Sequence, residues 1–144
     1  MAGWATGTVT FPVPAEAAYD YLADPRNRPA WQSSLRRIEA LSGTDVRVGQ
    51  RWVDVTVPGL RPAMETTEAV RPRRWAERGT WRGLSAELTL DFAPSGSGST
   101  VGFRFRVTGR GPLAPLARLL TLTAVPAVRG DLRRAARLAA AGRR

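Results

Sequence analysis

Between residues 84 and 92 the chain alternates cleanly: Leu84, Ala86, Leu88, Leu90 and Phe92 share one side, and Ser85, Glu87, Thr89 and Asp91 the other. Residues 100–108 repeat the pattern, with Val101, Phe103, Phe105 and Val107 set against Gly102, Arg104, Arg106 and Thr108. A period of two puts alternate side chains on opposite faces of a strand. The stretch PSGSGS (94–99) between them reads as a hairpin connection. Upstream, Thr8–Phe11 is β-rich and predicts a first strand around 5–12. QRWVDVTV (50–57) is β-branched and closes on the turn signal Pro58-Gly59. Residues 63–71 lie between Pro62 and Pro72, a strand-sized interval, and Trp75–Trp81 is followed by Gly83. Leu35–Leu41 reads as a short strand, with helix as its alternative. Successive strands with short connections predict an antiparallel meander with one face inward.

Two segments change period. In VPAEAAYDYLADPRNRPAW (13–31), Ala17, Ala18, Tyr21 and Leu22 recur at helical spacing, Pro14 suits a first helical turn, and Glu16 meets the positive end of the helix dipole. Pro25 disfavours helix at Asp24, and Pro29 interrupts again. The result is a short helix over 14–23, a corner, and a second short turn ending on Trp31, which reads as a plug fixing that corner. After Gly109–Gly111 a stripe of Leu113, Leu116, Leu120, Ala124, Val128, Leu132, Ala135 and Ala139 marks a long amphipathic helix. Pro126 either kinks it or divides it in two. Its stripe must lie on the apolar face of the sheet. The expected architecture is α+β, one domain over 1–144, with a curved seven-stranded antiparallel sheet, two short helices and a long kinked C-terminal helix.

Composition narrows the chemistry. The 144 residues contain no cysteine and no histidine, so no disulfide, Cys–His pair, histidine triad or histidine metal site can be built. No metal or cofactor motif is found, and no cofactor is expected. No run of about 18 apolar residues predicts a transmembrane helix. No signal peptide is visible either, which fits a cytoplasmic protein. All basic residues are arginine, and the net charge is +10. Residues 110–144 hold eight arginines and one acid, Asp131. No aromatic residue follows Phe105, so nucleic acid is not favoured as a partner. A solvated arginine face is the plain reading of this helix, and contact with an anionic surface or an acidic partner the alternative.

Aromatic residues raise the question of a site. Along 50–57 either Trp52, Asp54 and Thr56 point inward, giving a polar and aromatic pocket, or the valines do, giving a greasy one. Glu77 shares a face with Trp75 and Trp81. A carboxylate between two indoles would bind a cation or carry a raised pKa, and an exposed glutamate at a strand edge is the plainer alternative. The other available acids and bases, Asp54, Glu65, Glu68, Tyr19, Tyr21 and the arginines, form no spaced catalytic pair, so no catalytic residue is assigned.

Several segments together resemble the START-like, helix-grip superfamily, the polyketide cyclase/dehydrase and lipid-transport family. They are Val13-Pro14-Ala15-Glu16, Tyr19, Leu22-Ala23-Asp24-Pro25, Pro29-Ala30-Trp31, Val48-Gly49-Gln50-Arg51-Trp52, Arg71-Pro72-Arg73-Arg74-Trp75 and Ser97-Gly98-Ser99-Thr100-Val101, in the family's order. The resemblance implies a cavity between sheet and long helix that holds a small hydrophobic ligand. A cyclase/dehydratase acting on that ligand, or a partner-binding module using the basic helix, are the alternatives. The expected wall is Met64, Leu88, Leu90, Phe103 and Phe105, with Leu116 and Leu120 opposite. Arg61 and Arg110 are expected at a mouth between the 58–62 turn and the 109–113 link.

Overall fold

The period-two segments become seven strands, and the two helical stretches flank them. The computed structural model describes residues 3–142. In chain order the elements are β1 (Ala5–Phe11), α1 (Ala15–Ala23), a 3-10 turn (Pro25–Asn27), α2 (Arg28–Trp31), β2 (Leu35–Glu39), β3 (Arg51–Thr56), β4 (Ala63–Val70), β5 (Arg74–Trp81), β6 (Leu84–Ser95), β7 (Gly98–Gly109), α3 (Ala114–Thr123) and α4 (Val125–Ala141). A 3-10 turn, Gly111–Leu113, leads into α3. The sheet runs β1-β7-β6-β5-β4-β3-β2, every neighbouring pair antiparallel. This is the α+β helix-grip arrangement. Leu35–Leu41 resolves as strand, not helix.

Local chemistry sets the turns. Arg82 and Gly83 join β5 to β6 with φ of 46° and 83°. Two successive left-handed residues make the primed turn whose twist matches antiparallel strands, and glycine relieves the second of strain. At the other end, the Asp24 carboxylate accepts the Arg26 backbone N–H at 3.0 Å, fixing the corner after α1.

The C-terminal segment divides at Ala124, and its two halves meet at 48°. Pro126 sits in the first turn of α4, where its missing N–H costs nothing. Leu132, Ala135, Ala136 and Ala139 are the buried face of α4. Small alanines let this helix come close to β1. Tyr19 and Leu22 of α1, Trp31, Trp75, Leu90, Phe92, Val101, Phe103 and Leu132 belong to one buried cluster.

One expectation about α3 is corrected. Leu116 was expected to face the sheet with Leu120, yet it is 44% exposed, Leu120 reaches only the rim, and the buried positions are Ala117 and Thr121. The reason lies at the end of β1, whose pairing with β7 stops at Ala5↔Phe105. Beyond it the edge of β7 is open. Thr121 fills that gap: its hydroxyl accepts the Val107 N–H at 2.8 Å and lies 3.2 Å from the Val107 carbonyl oxygen. Unpaired backbone groups are costly, so a threonine rather than a leucine takes the sheet-facing position. No helix among the described residues is by itself long and apolar enough to cross a membrane.

Candidate functional site

Cross-strand rungs on the inner face explain where the molecule is solid and where it is hollow. Phe92↔Val101 and Leu90↔Phe103 are fully packed rungs in the cluster that includes α1 and α4 residues. The next rungs are Leu88↔Phe105, Ala86↔Val107 and Leu84↔Gly109. Side chains shrink along this series. On β5, Gly79 lies opposite Ala86 on one side and Met64 on the other. The Met64 side chain lies over Gly79, its sulfur where a Cβ would stand, and beyond it the small Ala86 leaves volume at the sheet's inner surface that no α4 residue fills. The consequence is a cavity of about 300 Å³. Met64, Gly79, Ala86, Leu88, Phe105 and Val107 form its sheet wall, Trp81 and Leu84 its hairpin end, and Leu120 of α3 its rim.

The opposite end is polar. Arg28, Gln32, Ser34, Asp54, Thr56, Glu77 and Thr80 also line the cavity. Trp52, Asp54 and Thr56 are therefore the inward face of β3, which settles the alternation left open by the sequence. Arg28 is 1% exposed, Asp54 3% and Glu77 6%. Arg28 holds Asp54 with two donors, Nη2 at 2.7 Å and Nε at 3.3 Å. The Trp52 indole N–H donates to the same carboxylate at 2.8 Å, and the Arg28 guanidinium lies 5.3 Å from the Trp52 ring centroid. Nη1 of Arg28 faces Glu77 Oε2 at 2.9 Å. That contact is an ion pair without hydrogen-bond alignment, since neither atom has a hydrogen-bond partner. Asp54 is thus well satisfied and Glu77 is not.

Charge follows from this geometry. Burial disfavours the Arg28 charge, but Glu77 and Asp54 more than offset it, and the guanidinium is held above its ordinary value. Burial pushes the Glu77 carboxyl up; Arg28 opposes this and Asp54 adds to it. Glu77 sits in β5, an interior strand of the seven, so the exposed-edge alternative is corrected. A carboxyl that binds its proton more tightly folded than unfolded makes folding weaken as pH rises. Stability should fall as pH climbs from the ordinary value of 4.5 through the raised one. Glu77→Gln should lack that slope in urea unfolding measured across this range. An unchanged slope in the variant would show that Glu77 titrates normally.

Among the described residues, no group of three or more acidic, cysteine or histidine side chains is placed to hold a metal ion.

A model of the polyketide cyclase/dehydrase and lipid transport family matches residues 5–141. The chain belongs to that family. Several solved structures share the fold of this family member. The di-domain ARO/CYC StfQ from the steffimycin biosynthetic pathway superposes with a TM-score of 0.77 at 17% identity, over 96% of this chain and 51% of that one. TTHA0849 from Thermus thermophilus gives 0.74 at 20% identity over 96% and 98% of the two chains. Ara h 8.0201 gives 0.72 at 12% identity over 98% and 99%. No curated protein matches the sequence.

Within this polyketide cyclase/dehydrase-type fold the expected wall residues divide. Met64, Leu88, Phe105 and Leu120 line the cavity. Leu90 and Phe103, 0% and 1% exposed, lie beyond it in the solid core, because the helices already cover their rungs. Leu116 is on the outer side of α3, turned away by the Thr121 contact. Arg61 pairs with Glu39 on the surface. Arg110 lines a separate groove with Trp81–Ser85 and Thr108–Gly109. Neither arginine guards the cavity. Sequence reasoning missed Arg28 and Gln32, which lie around Pro29 in a segment without periodicity, and Gly79, whose role is to be small.

Proposed function

We propose that the protein binds a small hydrophobic ligand, lipid- or polyketide-like, in the cavity between the sheet and the C-terminal helices. The observation that carries this reading is the hollow itself. About 300 Å³ stays unfilled beside a tightly packed core, bordered by Met64, Gly79 and Ala86, within the range of small-molecule sites, at its lower end. The mixed wall supports it further: an apolar body would lie along Met64, Leu88, Phe105 and Val107, and a polar group would face Gln32 and Glu77. Family membership and the shared fold agree with this reading.

A second reading is cyclisation or dehydration of the held ligand. It is favoured by Glu77, whose carboxyl is shifted toward its protonated form and faces the cavity. Such a group can donate a proton to a carbonyl or a departing hydroxyl.

Titration with the neutral probe N-phenylnaphthylamine tests binding. Saturable, one-to-one enhancement of probe emission, reversed by excess octanol, is expected. Emission that rises linearly without saturation would remove the ligand-binding reading and favour partner binding through the exposed face of α3.

A further inference from the structure

The polar end of the cavity holds one cation and two carboxylates, and the geometry shows which carboxylate is in excess. Asp54 receives Nε and Nη2 of Arg28 and the Trp52 indole, three donors in all. Glu77 receives only the misaligned approach of Nη1. A second acceptor is also unpartnered: Oε1 of Gln32 is buried, and Gln32 lines the same cavity. Unsatisfied buried acceptors are rare in folded proteins and costly. Two residues of one cavity wall thus carry unpartnered acceptors, and the free donors nearby are Nη1 of Arg28, already turned to Glu77, and the Thr66 hydroxyl beside it on β4, so a ligand that brings donors is better matched than one that brings acceptors. An anionic head would instead meet a carboxylate pair whose neutralising guanidinium is already engaged.

We propose that the cavity selects ligands with an apolar body and a protonated amine head, the ammonium lying against Glu77 and Gln32. The inference rests on the ligand-binding reading and specifies its chemical class. An ammonium supplies three donors and one positive charge, which the Glu77 carboxylate balances once its proton has left. The charged groups facing Glu77 are Arg28 from α2 and Asp54 from β3, while β4 presents Thr66 and β6 Leu88 as its neighbours. Binding an ammonium therefore displaces the proton of Glu77 from the neutral form that burial favours. A neutral alcohol displaces none.

The test uses the full chain and three ligands of equal length: octylamine, octanol and octanoate. Calorimetric titrations are run in two buffers of different ionisation enthalpy, at a pH just above the ordinary carboxylate range. Octylamine should bind about tenfold tighter than octanol, since an opposite charge at this range moves a carboxyl by one or more pKa units. Its binding should release up to roughly one proton, and octanol's none. Glu77→Gln should erase the amine preference, so that octylamine and octanol bind the variant within about threefold of each other. If the variant does not fold, the proton count on the native protein still decides. Octanoate as the best ligand, equal affinities, or no proton release with octylamine would overturn the amine assignment and leave ligand binding intact. Failure of all three ligands and of the neutral naphthylamine probe would overturn both.

Discussion

Replacing Arg28 by methionine should destabilise the protein by about 3–5 kcal/mol, the usual cost of removing one partner from a buried ion pair. Arg28 is wholly enclosed, and its loss strands Asp54 and Glu77 together in the interior. Asp54 would keep only the Trp52 indole as donor. Coulomb repulsion between the two carboxylates adds to their desolvation, and Glu77, already pushed up by burial, is driven further toward protonation. Urea unfolding measures the loss directly, and the destabilisation should shrink at acid pH, where Glu77 is protonated. Combining Arg28→Met with Asp54→Asn and Glu77→Gln should recover most of the lost stability, because neutral amides need no counter-ion. A single-variant loss below about 1 kcal/mol would mean that water reaches the cluster freely.

Gly79→Leu should abolish ligand binding without unfolding the protein. A Cβ built on Gly79 meets the Met64 sulfur at 2.6 Å and is otherwise at least 3.1 Å from its neighbours. The sulfur belongs to a flexible side chain that can move aside. Gly79 does not have a left-handed backbone, so a side chain is not barred by conformation. The displaced methionine and the new leucine both have one place to go, the cavity. Overpacking of this kind costs about 1–3 kcal/mol, whereas the probe's affinity should fall by more than about tenfold. A variant that binds normally would place the ligand elsewhere.

Much of the fold was legible because the burial pattern is carried by single strands. Along 84–92 and 100–108 every second residue is apolar, and that regularity alone orients both strands. The α4 stripe of Leu132, Ala135 and Ala139 is equally direct. In α3 the same logic misleads: leucines at 113, 116, 119, 120 and 122 surround the segment, so periodicity cannot choose a face. The choice is made by the Val107 backbone, through a threonine to which hydropathy gives no weight. The site was less legible for a related reason. Arg28 is one of 22 arginines, and its burial depends on Asp54 and Glu77, which arrive from two later strands. Alternation along 50–57 reduced Asp54 to two possible faces, and Glu77 was singled out between its tryptophans. Only the third dimension joins them. The cavity, in turn, is bordered by Gly79 and Ala86, and the missing or small side chains there leave no apolar signal to read.

The central claim is that the hollow beside Gly79, rather than the leucine-rich outer face of α3, receives the ligand. Parallel titrations of N-phenylnaphthylamine against the native protein, Gly79→Leu and Leu122→Arg separate the two. Leu122 is 76% exposed and lies outside the cavity wall. Saturable one-to-one binding should persist in Leu122→Arg and disappear in Gly79→Leu. Binding that survives in Gly79→Leu but is lost in Leu122→Arg would contradict it.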